Sequence, residues 1–129
     1  MTSINNSKQF NFNLAHLFYA VAMADKKIEV SEKKKIVTIV EKNWITNTAN
    51  NKEEIYETIR NLISDGITSE TAFNQFKNYV KANNTIFTPE LSKKIIKSCH
   101  SICESFASKN KSELILLAHL HKLLLNTNA

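Results

Sequence analysis

Glycine and proline each occur once in 129 residues, as Gly66 and Pro89. A sheet protein of this length needs many tight turns, and turns draw heavily on those two residue types. Their scarcity excludes a sandwich or barrel and points to helices joined by polar loops. Cysteine is nearly as rare. Cys99 and Cys103 are the only two, four positions apart in a helical pattern. No structural disulfide is expected at that spacing, so a reducing, cytoplasmic compartment is expected. Long apolar runs are missing as well. The strongest stretch runs from Leu114 to Leu125 and is interrupted by His119, His121 and Lys122. It is too short to span a bilayer. The N-terminal segment has no charged region leading into an apolar core, so no signal peptide is expected.

The length is that of one domain, and such a chain buries enough surface to fold without a disulfide or metal staple. The formal net charge is +5. Residues 1–65 carry nine Lys/Arg and eight Asp/Glu, and residues 66–129 carry eight and four, so the excess lies in the second half. An excess of this size describes a lysine-rich solvated surface and is only weak support for an anionic partner.

Apolar periodicity predicts six helices. Residues 1–9 are polar and are expected to be disordered or frayed, leaving 10–129 as a single helical domain. Leu14, Leu17, Phe18, Val21 and Ala22 form the stripe of the first helix, which ends near Asp25. Ser31 caps the second, with Ile36, Ile39, Val40 and Trp44 inward. The amide-rich stretch from Thr46 to Asn51 reads as a loop. The third helix turns Ile55, Ile59, Leu62 and Ile63 inward and stops at Asp65-Gly66, where glycine provides the left-handed cap.

Ser69 is the expected cap of a fourth helix carrying Ala72, Phe73, Phe76 and Val80. Thr88-Pro89-Glu90 announces the fifth, as an N-cap, a proline at the first helical position and an acid favoured by the helix dipole. Its stripe is Leu91, Ile95, Cys99, Ile102, Cys103 and Phe106. Asn110 and Glu113 have capping-box spacing before the last helix. That helix is apolar almost all round, so it is expected at the centre of the bundle.

The segment Leu14–Glu32 reads LAHLFYAVAMADKKIEVSE. An apolar helix runs into Ala24-Asp25, Ile28 is placed to plug the bend, and Glu32 lies near the positive end of the next helix. In this segment the chain resembles the TerB-like family, named for tellurite-resistance proteins. Ala24, Asp25, Ile28 and Glu32 match the family's pattern of Ala-Asp-Gly, an apolar residue and an acid, while Lys26 replaces its glycine. Leu14-Ala15-His16-Leu17 also recurs 103 residues later as Leu117-Ala118-His119-Leu120. TerB-like domains carry two related helix-loop units. The repeat implies that the first and last helices pack as neighbours, with His16 and His119 at equivalent edge positions. At the same offset Asp25 falls on Asn128, so the second acidic loop is missing or neutral. The resemblance implies an all-α, six-helix TerB-like bundle. Its role would be that of a bacterial stress-response or tellurite-resistance-associated module acting through protein partners.

Asp25, Glu29 and Glu32 are the candidate ligands of a weak divalent-cation site. An EF-hand is excluded, because its earlier ligand positions would fall on Val21 and Met23, which carry no side-chain oxygen. Cys99, His100 and Cys103, with His119 or His121, offer donor types for zinc. Both cysteines, however, sit on the apolar stripe, where cysteine behaves as a small hydrophobe. The four histidines look scattered. No catalytic triad, His-Glu-x-x-His pattern or phosphate-cradling glycine loop is present, so no enzyme activity and no resident cofactor are expected. The alternative reading is a basic module in which Lys93, Lys94 and Lys97, with Lys109 and Lys111, meet nucleic acid or an anionic membrane surface. No aromatic platform accompanies them, and Arg60 is the only arginine.

Overall fold

A computed structural model describes the backbone of residues 3–24, 49–105 and 111–127. Side chains are described within 9–24, 53–102, 104 and 114–125. Among the described residues the chain forms five α-helices and no strand. They are α1 (Ser3–Met23), α2 (Ala49–Ser64), α3 (Ser69–Ala82), α4 (Pro89–Ser105) and α5 (Lys111–Thr127), with a short 3₁₀ turn at Asn84–Ile86 before α4. The helix expected after Ser31 lies outside the described residues, so five of the six expected helices are seen. The all-α expectation holds across the described residues.

Helix α1 is the hub. It packs broadly on α2 and α3 and more lightly on α4, while α5 rests chiefly on α4. Leu14, Ala15, Leu17, Phe18, Tyr19, Ala20 and Val21 have no exposed surface at all. This burial goes beyond one stripe. The small Ala15, Ala20 and Ala22 let neighbouring helices approach on more than one side of α1. The central place expected for the last helix therefore belongs to the first. On α5 only Leu117, Leu120 and Leu124 are buried, whereas Leu114, Ile115 and Leu125 are about half exposed.

The remaining faces follow their periodicity. Ile55, Ile59 and Leu62 of α2, Ala72, Phe76 and Val80 of α3, and Ile95, Cys99 and Ile102 of α4 join α1 in one core cluster. Phe87, in the turn after the 3₁₀ segment, is fully buried. It meets the edges of Phe76 and Tyr79 at centroid distances of 5.9 and 6.0 Å and lies 6.2 Å from Phe10. Edge-to-face packing suits the ring quadrupoles, so one aromatic side chain ties that turn to α1 and α3.

Several boundaries differ from the sequence pattern. Helix α1 begins at Ser3, including residues assigned above to a frayed terminus, and α2 begins at Ala49, inside the stretch read as a loop. Gly66 adopts φ +65°, as its cap position requires. Thr88 caps α4 as expected, its Oγ1 accepting from the Leu91 amide at 3.2 Å. For α3 the cap is Thr68, which accepts from the Thr71 amide at 3.1 Å, and not Ser69. Ser69 instead donates to the Ala20 carbonyl at 2.7 Å, a partner 49 residues away.

Candidate functional site

The end of α1, the Gly66 turn, the first turns of α3 and the start of α5 border a cleft of about 750 Å³. Two hydroxyl groups fix its floor. Tyr19 donates to the Ile67 carbonyl at 2.5 Å, with the Leu62 carbonyl 3.4 Å away. Ser69 holds the Ala20 carbonyl. Both bonds join the Gly66 turn to the buried helix, so the turn cannot drift from α1 without leaving buried carbonyls unsatisfied. Burial raises the Tyr19 phenol above its ordinary range, so it remains a donor.

The walls are mostly apolar: Met23, Ile67 and Phe73 on one side, Ile115 and Leu116 on the other. Glu70, Lys77 and His119 supply the polar edge. Helical spacing explains the α3 wall, because Glu70, Phe73, Asn74 and Lys77 are three or four positions apart and share one face. A cleft of this size and lining suits binding. Among the described residues that line it, Glu70 is the one carboxylate. Among the described residues no group of three or more His, Cys, Asp or Glu side chains is arranged to hold a metal ion.

The cleft includes Ala24, the residue before Asp25. Asp25, Glu29 and Glu32 themselves lie outside the described residues. Lys93, Lys94 and Lys97 are exposed on α4, at spacings that place them along one flank. Lys109 lies outside the described residues, as does the side chain of Lys111.

Cys99 is a fully buried thiol within the core cluster, consistent with packing, and the side chain of Cys103 is not among those described. The repeated tetrapeptide does not give equivalent positions. His16 is buried in α1, while His119 is exposed at the cleft. The two helices meet only marginally. The Nδ1 of His16 bonds the Phe12 carbonyl at 2.8 Å, and its ring packs on Phe12 at 4.5 Å. Burial lowers the affinity of His16 for a proton, and the carbonyl bond offsets part of that effect.

The structure also joins two histidines that look scattered in sequence. His100 of α4 and His121 of α5 face each other with their Nε2 atoms 3.2 Å apart. No signal in the periodicity marks this pair, because it depends on the register between two helices. A further depression of about 470 Å³ is lined by Glu53, Glu54, Tyr56, Glu57 and Arg60 of α2. There the Asn11 side-chain amide donates to Glu54 at 2.9 Å. Comparison with family models finds no match, and no curated protein or solved structure matches significantly.

Proposed function

We propose that this chain is a non-enzymatic, TerB-like helical module of the bacterial cytoplasm that works by holding a protein partner in a stress response, tellurite resistance included. The observation that carries the reading is the apolar cleft beside Ala24, the residue at which the TerB-like loop begins. Its occupant is a helical or extended segment of a second protein that inserts apolar side chains between Phe73 and Ile115. Glu70 and Lys77 lie seven positions apart on that wall of α3. They favour a basic group at one end of the segment and an acidic one at the other, which fixes its direction. Asp25, Glu29 and Glu32 add a weak divalent-cation site to this reading, with too few acids in the chain's single loop of this type for tight binding.

A photo-reactive residue at position 115, introduced in the native host, tests the reading. It is expected to cross-link to one identifiable protein, and the purified partner is expected to bind the wild-type chain. Ile115→Glu is expected to weaken that binding roughly tenfold or more, as burying an unpaired charge does. Unchanged affinity in Ile115→Glu, or a duplex or anionic vesicle that binds through Lys93, Lys94 and Lys97, would count against it.

A further inference from the structure

Helix α5 carries more apolar surface than its place in the bundle uses. A helix that is apolar almost all round is normally buried on every side. Here the bundle covers Leu117, Leu120 and Leu124 and leaves Leu114, Ile115 and Leu125 about half exposed. Among the described residues the one other large apolar side chain so exposed is Phe12 of α1. The surplus is concentrated on one helix, as on an interaction surface, where ordinary surfaces scatter such residues singly.

The exposed residues are also ordered. Leu114, Ala118, His121 and Leu125 follow one another at spacings of four, three and four. That is the spacing of a seam by which one helix packs along another. At about 100° per residue the four fall on one narrow stripe. Leu114, Ala118 and Leu125 are exposed, and His121 is half-buried. Leu116 and His119, which line the cleft, lie on the far side of the helix, so seam and cleft are separate surfaces with Ile115 between them. The spacings select the occupant, because four, three, four reads the same in both directions. A second copy of α5 laid antiparallel sets Leu114 against Leu125 of the second copy and Ala118 against its His121, and the reverse. Such a self-complementary patch is what a two-fold dimer requires. The short Ala118 leaves room for the facing imidazole. The seam holds no lysine and no carboxylate, so neither is buried unpaired. We infer that α5 is a self-association helix that pairs two copies of this chain antiparallel along Leu114, Ala118, His121 and Leu125. The seam is far smaller than the roughly 20–30 residues a side of a stable interface, so the dimer is weak and forms at high concentration. The net charge of +5 on each copy opposes it, so added salt strengthens the pairing. This goes beyond the partner-binding reading and does not depend on it.

Sedimentation equilibrium on the full chain, from about 1 μM to about 1 mM, covers the range open to a small interface. The average mass is expected to rise from 14.7 kDa toward twice that value, and to rise further with added salt. Leu114→Lys and Leu125→Lys alter half-exposed positions, and each is expected to weaken association roughly tenfold or more by placing a charge in the seam. Phe12→Ser, on α1, is expected to associate as the wild type does. Mixing Leu114→Cys chains with Leu125→Cys chains under mild oxidation reads the direction of the seam. Peptide mapping is expected to find a disulfide between positions 114 and 125. A link from 114 to 114 is not expected, because the antiparallel pairing holds those positions about 16 Å apart along the axis. This measurement does not require either lysine variant to fold. A chain that stays at 14.7 kDa throughout, association unchanged by both lysine variants, or a 114–114 link in place of the 114–125 link would overturn the proposal.

Discussion

Tyr19 and His16 lie three positions apart on α1, and burial acts on both by penalising the charged form. For Tyr19 the result is a phenol that stays neutral and holds the Ile67 carbonyl. For His16 burial lowers the pKa below that of the unfolded chain. Above the ordinary histidine value of about 6.5 both states are neutral and the group has no effect on stability. As pH falls below it, the unfolded chain takes up a proton that the folded chain resists, so stability declines with acid. Urea unfolding measured between about pH 7.5 and 5 is expected to show this fall in the wild type and a shallower one in His16→Gln. Equal slopes in the two proteins would remove His16 from the account. This acid effect is global.

Helix boundaries set by one residue's own chemistry were legible. Gly66 had to stop α2, and Thr88-Pro89-Glu90 had to start α4. Features set by distant partners were not. Thr68 and Ser69 are equivalent capping candidates in sequence, and only the carbonyl of Ala20, brought there by folding, decides which hydroxyl caps and which braces. Phe87 follows a turn and belongs to no periodic stripe, so its place among Phe10, Phe76 and Tyr79 left no trace in the pattern. The ranking of α1 and α5 inverted for a related reason. Hydrophobicity alone favoured the leucines of α5, but close approach favoured the alanines of α1. The sidedness of α5 can be measured. Leu120→Ala is expected to cost about 2–5 kcal/mol by emptying a fully buried site. Leu125→Ala, about half exposed, is expected to stay within about 1 kcal/mol in urea unfolding. Equal costs would place α5 back in the centre of the bundle.

At the scale of the whole molecule, the described helices pack around the buried α1, with the apolar cleft and the basic flank on separate elements. The cleft needed tertiary structure to be seen, because Met23, Phe73 and Ile115 come from three helices far apart in sequence. The lysines needed none, since Lys93, Lys94 and Lys97 are local to α4. That asymmetry explains why the lysine flank is legible in the sequence by residue number, while the cleft is not. No described helix is long and apolar enough to cross a membrane. The most direct measurement maps the partner's footprint by NMR on isotope-labelled protein, titrated with the cross-linked partner and, separately, with short duplex DNA and anionic vesicles. The account predicts saturable shift changes confined to residues 66–77 and 115–119, with the amides of Lys93, Lys94 and Lys97 still and no saturation by duplex or vesicle at physiological salt. Saturable shifts centred on Lys93, Lys94 and Lys97, with the cleft silent, would contradict it.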